Sequence, residues 1–540
     1  MTINILIGIG GTGAKIVESA LHLLAAGVLP QSEVHIGLVD QDNANGNVGR
    51  AGQLLELLCE IKRNFESPES NGTAQGNYLD WSTDLAAGTR LFATRLSPLL
   101  DHGPHWRPAD DSMPDLSSIL MRGNRSAEEQ ALFDMLFRAK GAPEAHQEQD
   151  MDLSKGYRGR AHVGSAALIS AMKFDSPDFG DKLKALIDRS QTGNEVRIFL
   201  AGSLFGGTGA AGFPTIARLL DNLRHSASST GQTQPGPNQS KSILIGGVLM
   251  LPYFEFAPPP EDTANVVRST QLLPQARVAI DFYENLQRRE KPFDRLYAAG
   301  WDSMVALGYH EPGGDDQRNP ALLPELVAAL AVVDFFSAPT EGMDAAKPLA
   351  AARSAGGAFK WDDLPMDEER RASFKHDMGS ALRFAVWWLH WIEPALERDD
   401  RAVWPKELMP DRDRGDATSR ARRNLVAYAT SLLHWASSLQ LFSKTAVGRF
   451  ELWDSTQLSV QNADDPANPV KIHSVMNEDR AEQAFNSFLH ANDPKKPPAQ
   501  ATEVFELLRN TSATGKSRGL GQLVATVHRV ARPVHGGRTA

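Results

Sequence analysis

Apolar runs and amphipathic stretches alternate over the first part of the chain. The runs Ile3–Ile7, Val34–Val39 and Glu195–Leu200 are typical of buried strands, and each ends in a break rich in Gly, Asp or Asn. Between the first two runs, Ala14–Ala26 repeats apolar residues at helical spacing. The order strand, glycine loop, helix and strand predicts a parallel α/β sheet.

The pattern continues to a long apolar helix. Predicted strands at Ser242–Leu249 and Asp294–Ala299 flank a predicted helix at Gln275–Gln287. Residues 319–336 (NPALLPELVAALAVVDFF) then predict a helix that is apolar on almost every side. A helix of this composition lies inside a protein, so we expect it in the middle of the molecule.

Residues 51–154 interrupt this pattern. Predicted helices at Leu54–Phe65 and Ala127–Arg138 are separated there by segments rich in Pro, Gly and Asp. We expect this segment to be an insertion on the sheet rather than part of it, within a first domain of residues 1–345. A chain of 540 residues is long enough for more than one domain.

Beyond about residue 345 the chain changes to Trp-rich helices. The stretches Ala381–Ala395 and Leu425–Phe442 carry apolar residues at helical spacing, which predicts a mainly helical C-terminal domain over residues 346–510. Residues 511–540 contain Lys and Arg but no carboxylate side chain. We expect a solvated basic tail, with docking on an acidic partner protein or on nucleic acid as the alternative.

The composition narrows the classes of protein. Lys and Arg number 56 against 66 Asp and Glu, which argues against a surface built throughout to hold nucleic acid. Cys59 is the only cysteine, so the sequence excludes an internal disulfide framework and a zinc cluster of thiolates. No apolar run approaches the ~20 residues that span a bilayer, and the start MTINILIGIGG carries no charged leader. We therefore expect a cytoplasmic protein without membrane contact.

Two glycine-rich loops link a predicted strand to a predicted helix. In the first, Gly8, Gly10 and Gly13 match the pattern G-x-G-x-x-G, and Asp40 follows the second strand, as in dinucleotide-binding folds. The second loop is GSLFGGTGAAGFP, residues 202–214. Glycines let backbone N–H groups approach an anion, and the start of the next helix adds a partial positive charge. Phosphate is the ligand that this chemistry favours, although small residues also serve tight packing of strand on helix.

The order of these motifs resembles the tubulin and FtsZ family of GTPases. Six segments match over residues 1–336, and the likeness is strongest to divergent prokaryotic tubulin-like proteins. They are GIGGTGAK (8–15), VDQDNANGN (39–47), GYRGRAHVGSAAL (156–168), GSLFGGTGAAGFP (202–214), GGVLMLPYFEF (246–256) and NPALLPELVAALAVVDFF (319–336). The resemblance implies a tubulin-type, Rossmann-like parallel sheet with a central helix, and a site for GTP or GDP with Mg²⁺.

The resemblance also implies roles for individual residues. The two loops would hold the phosphates from opposite sides, through Gly206, Gly207, Thr208 and Gly209 in the second and Gly10, Gly11, Thr12 and Gly13 in the first. The turn after the second strand would lie near the terminal phosphates through Gln41, Asp42 and Asn43, with Asp42 as a ligand of Mg²⁺, which prefers oxygen ligands.

Further residues of the matching segments complete the implied site. Arg160 would approach the terminal phosphate, or else remain a solvated surface arginine. Glu255 matches the glutamate that binds the ribose, with an exposed strand-end carboxylate as the alternative, and Asn319 would read the base edge. Phe205 stands where the family signature has glycine, so its ring is expected to point into the core.

Nucleotide hydrolysis in the family depends on an acidic residue that follows the central helix and completes the site of the next subunit. The family's NxDFAD pattern is missing after Phe336, and Asp362 and Asp363 are the nearest substitutes, followed by Glu341 and Asp344. An acidic loop that serves solubility explains all four equally well.

The resulting hypothesis is a GTP-binding protein that assembles head to tail with copies of itself and hydrolyses nucleotide at the subunit interface. One alternative is a degenerate tubulin-like scaffold subunit of a multi-protein complex, a defence complex being one case, with little or no GTPase activity. Another is a Rossmann oxidoreductase that binds a nicotinamide cofactor.

Overall fold

In the computed structural model, the residues described are 2–30, 32–65, 90–109, 112–138, 148–172, 179–229, 243–257, 269–301, 304–308, 317–340, 343, 349–350, 358–397, 416–442, 450–455, 458, 478–487 and 520–531. Glu341, Asp344 and most of the predicted basic tail lie outside these residues. The described part of that tail, residues 520–531, is not solvated as expected: it forms a helix, Leu520–Val530, that buries Leu520, Leu523 and Val524 in the core because its apolar residues recur at helical spacing.

A parallel sheet of eight strands forms the centre of the fold, in the spatial order β10-β8-β6-β5-β1-β2-β3, with β4 also paired to β2. The strands of this sheet are β1 (Thr2–Ile9), β2 (Glu33–Val39), β3 (Arg95–Pro98), β4 (His105–Trp106), β5 (Glu195–Ser203), β6 (Ile243–Met250), β8 (Arg295–Ala299) and β10 (Leu349–Ala350). A separate parallel pair joins β7 (Phe254–Phe256) to β9 (Val305–Leu307). The predicted parallel α/β class is therefore confirmed.

Helices flank the sheet. In chain order they are α1 (Gly10–Ala25), α2 (Gly46–Phe65), α3 (Leu116–Ile119), α4 (Ala127–Leu136), α5 (Ala161–Ala171), α6 (Phe179–Asp188), α7 (Gly207–Ser229), α8 (Ser269–Arg289), α9 (Leu323–Ser337), α10 (Glu368–Trp387), α11 (Glu393–Glu397), α12 (Asp416–Phe442), α13 (Glu478–Ser487) and α14 (Leu520–Val530). A short π-helical segment, Trp388–Ile392, joins α10 to α11. Among these described helices, none is long and apolar enough to cross a membrane.

Alternate residues of the strands feed two separate hydrophobic cores. Ile3, Ile5 and Ile7 of β1 belong to the core that packs under α6, α7 and α8, whereas Leu6 belongs to the core formed with α1, α2 and α9. Successive side chains of a strand point to opposite faces of the sheet, so both faces are covered. This explains why the strand sequences are continuous apolar runs.

The apolar helix α9 lies buried, as predicted. Its residues share one core with α1 and with the Trp-rich helices α10 and α12. Trp435 of α12 donates its indole N–H to the Ser19 hydroxyl of α1 at 3.1 Å. The C-terminal helices therefore pack directly on the first helix after β1.

The segment 51–154 differs from the expectation of an insertion outside the sheet. β3 and β4 lie within it and pair in parallel with β2, with Val34 opposite Leu96 and Leu38 opposite His105. These strands span four and two residues, which is too short for a periodic apolar pattern to emerge. The segment thus supplies one edge of the central sheet.

His22 lies at the contact between α1 and α12. Its side chain is fully buried, and its ring centroid lies 5.0 Å from that of Trp435. Burial lowers the pKa of His22 from 6.5 to about 4, despite the opposing effect of the Glu18 carboxylate. The unfolded chain therefore binds this proton at a higher pH than the folded chain. The stability that neutral His22 contributes is present above pH 6.5 and is lost as the pH falls toward 4.

We expect the free energy of unfolding to fall by about 2 kcal/mol between pH 7 and pH 5 through this one group. In His22→Leu the urea midpoint should depend less steeply on pH than in the wild type, because the titrating group is gone. His225→Leu is the matched control, since the His225 side chain is 73% exposed. Equal pH dependence of His22→Leu and the wild type would contradict this expectation.

Candidate functional site

One cleft opens at the carboxyl ends of the two central strands. β1 and β5 pair in register, with Gly8 opposite Ala201, and the helices α1 and α7 begin close to the ends of these strands. The cleft encloses ≈ 180 Å³. Open α/β sheets bind ligands at this edge. Its walls come from both glycine loops, the β2–α2 loop, residues 155–159, the strand β7 and residues 317–319.

The two glycine loops touch one another in this cleft. Gly10 has a φ of +73°, a left-handed conformation that favours glycine. A Cβ atom on Gly10 would lie 3.2 Å from the backbone N of Gly209, and one on Gly207 would lie 2.8 Å from the backbone N of Gly159. Side chains at these positions would separate the loops. The glycines therefore allow three backbone segments to meet around one space.

Both glycine loops lead into long helices whose starts face the cleft. α1 has 16 residues and no side-chain cap at its start, and α7 has 23 residues. Neither helix carries an acidic residue in its first turn. The first N–H groups of a helix lack partners within it and carry a partial positive charge. Two such starts at one cleft favour an anionic ligand.

Asp40 ties the β2–α2 loop to the second glycine loop. Its carboxylate accepts the Thr208 hydroxyl at 2.9 Å, the Asn45 amide at 2.8 Å and the backbone N–H of Asp42 at 3.2 Å. Burial raises the pKa of Asp40, and these hydrogen bonds oppose that shift. The Thr208 hydroxyl thus donates its hydrogen to Asp40 and does not offer that hydrogen to a ligand in the cleft.

Lys15 forms a buried ion pair beneath the cleft. It lines the cleft from α1 and pairs with Glu325 at the start of α9, and the two side chains are 2% and 0% exposed. Tyr253 donates its hydroxyl to the Glu325 carboxylate at 2.5 Å. Burial lowers the pKa of Lys15 and raises the pKa of Glu325, while each charge opposes the shift of the other. This pair joins the first glycine-loop helix to the central helix.

Several buried polar groups of the cleft residues lack a hydrogen-bond partner among the residues that the structure describes, and three of them are uncharged. The side-chain carbonyl oxygens of Asn47 and Asn319 and the hydroxyl of Tyr157 make no hydrogen bond within the described part of the chain, although these residues are 1%, 4% and 1% exposed. All three residues line the cleft. A buried polar atom without a partner costs free energy. A ligand with its own polar groups would remove this cost.

The structure brings together most of the glycine-loop residues that the resemblance singled out. The predicted residues that line the cleft are Gly10, Gly11, Thr12, Asp42, Gly206, Gly207, Thr208, Gly209 and Asn319. They come from four separate stretches of sequence. Phe205 also lines the cleft. Its ring packs in the core against Phe254, at 5.5 Å between ring centroids, and the residue is 5% exposed, so the expectation that the ring points into the core is confirmed.

Other predicted residues lie outside the walls of the cleft. Gly13 is packed against the sheet, where a Cβ would lie 2.5 Å from the carbonyl O of Ala201. Gln41 uses both ends of its amide on the backbone of Ala109, at 2.8 and 3.0 Å. Asn43 is exposed. Of these three residues, Gln41 ties its loop to residue 109 through its side chain.

Arg160, Glu255 and the acidic pair also point elsewhere. Arg160 donates to the Met151 sulfur at 3.1 Å and lies 4.0 Å from the Glu148 carboxylate. Glu255 is exposed on β7, whose neighbouring residues Phe254 and Phe256 line the cleft, because strand side chains alternate. Asp362 and Asp363 are exposed in the 3₁₀ turn Trp361–Asp363, where Asp363 accepts the Lys360 backbone N–H at 2.7 Å.

Sequence reasoning missed several residues that line the cleft, namely Lys15, Asn45, Asn47, Lys155, Tyr157 and Arg158. All but Lys155 lie inside the matching segments, so the motifs gave the correct loops. The signal that could have found Lys15 is its position five residues after Gly10, on the helix whose start faces the cleft. Which loop side chains face inward depends on long-range bonds that the motifs do not contain.

The acidic residues of the cleft fit a magnesium ion only together with a ligand. Asp42 lines the cleft and is 6% exposed. Within the described ranges, no group of three or more His, Cys, Asp or Glu side chains is arranged to hold a metal ion. Mg²⁺ commonly binds through one or two carboxylates, waters and the phosphates of a substrate. Asp42 suits that mode of binding.

Comparisons of the chain with models of protein families, with curated proteins and with solved structures find no match.

Proposed function

We propose that this protein binds GTP or GDP with Mg²⁺ in the cleft between its two glycine loops, in the manner of the tubulin and FtsZ family. The observation that carries the proposal is the contact between the loops, where a Cβ on Gly10 would lie 3.2 Å from the backbone N of Gly209. Two helix starts that face one cleft suit a chain of several phosphates, whereas a dinucleotide-binding fold needs only one glycine loop.

In this proposal each wall of the cleft has a task. Backbone N–H groups of Gly11 and Gly207 bind phosphate oxygens, and Asp42 binds Mg²⁺ together with those phosphates. The unpaired carbonyl oxygens of Asn47 and Asn319 accept N–H groups of the base. Guanine presents such N–H groups on its pairing edge, so these two amides support GTP as the nucleotide.

Self-assembly and hydrolysis form the second part of the proposal. Head-to-tail contact between copies of the chain would bring an acidic residue of one subunit to the nucleotide of the next, and Asp362 and Asp363 are exposed as that role requires. Their exposure also suits a surface turn with no catalytic role. A nucleotide-binding scaffold with little GTPase activity is therefore the alternative, and it shares the same cleft.

The experiment that tests the proposal is identification of the nucleotide carried by the purified protein. The protein is denatured and the released small molecules are separated by anion-exchange chromatography and identified by mass. We expect GTP or GDP, in up to one equivalent per chain. Release of NAD or NADP would favour an oxidoreductase, and absence of nucleotide together with no binding of added GTP would contradict the proposal.

A further inference from the structure

Arg158 is a cation at the wall of the cleft. Its side chain lines the cleft, and its Nε is buried with no hydrogen-bond partner in the described part of the chain. Among the residues that the structure describes, none forms an ion pair with this guanidinium. Lys15, the buried cation of the same cleft, is neutralised by Glu325. The buried Nε has lost water without gaining an acceptor, which costs free energy unless a ligand supplies one.

The backbone at Arg158 is held in a conformation that L-residues rarely adopt. Its φ is +45°, between Gly156 at +73° and Gly159 at +76°. The left-handed region is unfavourable for a residue with a Cβ. Strain of this kind is concentrated at sites that bind ligands. Gly156 and Gly159 adopt left-handed conformations readily, whereas the same kind of conformation at Arg158 raises the free energy of the fold.

The turn 156–159 lies between the proposed metal ligand and the second glycine loop. A Cβ on Gly156 would lie 3.4 Å from the Cβ of Asp42, and a Cβ on Gly207 would lie 2.8 Å from the backbone N of Gly159. Asp42 would hold Mg²⁺ together with phosphate oxygens of a nucleotide. The turn therefore lies where the outer end of a phosphate chain would be.

We propose that Arg158 binds the terminal phosphate of a nucleoside triphosphate and makes the site prefer the triphosphate to the diphosphate. This inference rests on the proposed function. A guanidinium binds phosphate oxygens through two parallel N–H donors, and a terminal phosphate would give the buried Nε its missing acceptor. A diphosphate ends one phosphate short, so it gains nothing from Arg158. Arg160, the residue that the motif favours, is held by Met151 and Glu148.

The test compares the affinities of GTP and GDP, each with Mg²⁺, by isothermal titration calorimetry. We expect Arg158→Gly to weaken GTP about tenfold or more and to leave GDP unchanged, because charge-assisted hydrogen bonds to one phosphate are lost. Glycine suits the left-handed backbone, so this variant should keep its fold, which thermal melting checks. Arg158→Lys should recover part of the GTP affinity, since it restores the charge without the two-pronged donor. Arg160→Ala should retain the preference for GTP.

The outcomes separate the inference from the proposed function. The role of Arg158 would be overturned if Arg158→Gly weakened the affinities for GTP and GDP equally or weakened neither. It would also be overturned if only Arg160→Ala weakened the affinity for GTP. If Arg158→Gly has a lower melting temperature than the wild type, the affinities of Arg158→Lys for GTP and GDP test the role of Arg158 instead. Lysine keeps the charge and nearly the length of the side chain. A wild type that binds neither nucleotide overturns the proposed function, and the inference with it.

Discussion

Glu325→Gln is expected to lower the free energy of unfolding by about 3–5 kcal/mol, because it removes one partner of a buried ion pair. Glu325 is 0% exposed, and the Lys15 side chain that it neutralises is 2% exposed. Without the carboxylate, Lys15 must either stay charged without a partner or give up its proton at neutral pH. Both outcomes raise the free energy of the folded chain but not that of the unfolded chain.

The other contacts of Glu325 are largely kept in this variant. A glutamine side chain can keep both contacts if its carbonyl oxygen accepts the Leu322 backbone N–H, which lies at 2.9 Å in the wild type, and its amide N–H₂ donates to the Tyr253 hydroxyl, which lies at 2.5 Å. The loss of stability in this variant therefore measures mainly the removal of the charge, because the number of hydrogen bonds stays the same. Unfolding in urea, followed by circular dichroism, gives the comparison with the wild type.

A second change should restore part of the lost stability. In the double variant Lys15→Met with Glu325→Gln the buried charge is gone, so its free energy of unfolding should exceed that of Glu325→Gln alone. The control is Glu290→Gln, which breaks the exposed pair with Arg218, whose side chains are 44% and 46% exposed, and should cost less than about 1 kcal/mol. Equal stability of the wild type and Glu325→Gln would show that the pair does not stabilise the fold.

Gly207→Ala is expected to weaken GTP binding by at least about tenfold, because the added methyl group cannot be placed without moving backbone. It would lie 2.8 Å from the backbone N of Gly159 and 3.2 Å from the Tyr157 Cβ. Contacts below 3.0 Å force a shift, and the neighbour here is main chain rather than a flexible side chain. The second glycine loop and the turn 156–159 must then separate, which misplaces the N–H groups of both.

Gly49→Ala is the matched control for this change. Gly49 is an exposed residue of α2, and a Cβ there would meet nothing within 4 Å. Alanine also has the higher helix propensity, so this variant should bind GTP like the wild type. Calorimetric titration of both variants measures the difference. Unchanged GTP affinity in Gly207→Ala would mean that GTP binding does not depend on the contact between the second glycine loop and the turn 156–159.

The central strands of the sheet could be predicted from the sequence because buried parallel strands leave a strong local pattern, whereas the short edge strands β3 and β4 could not. The continuous apolar runs at β1, β5 and β6 and the apolar helix α9 follow from burial on every side. The start of α1 could not be placed in the same way. Glycine has a low helix propensity, so the sequence suggests that the helix begins near Ala14. In the structure the helix begins at Gly10.

The candidate site could be predicted at the level of loops but not of side chains. The motifs indicated the loop that contains Gln41, yet its amide is bonded to Ala109, a residue far along the chain. Asn47, in the first turn of α2, lines the cleft instead. The ion pair between Lys15 and Glu325 likewise joins two distant parts of the chain. Such contacts depend on the packed structure, which the periodicity of a single segment does not contain.

The most direct test of the central claim is the stoichiometry of GTP binding in the presence of Mg²⁺, measured by calorimetric titration. Both glycine loops face one cleft, so the account predicts one GTP per chain, and it predicts that Gly10→Ala and Gly207→Ala each weaken binding at that single site by at least about tenfold. Two independent sites per chain, or a site whose affinity is unchanged in both variants, would contradict the claim that the loops hold one nucleotide between them.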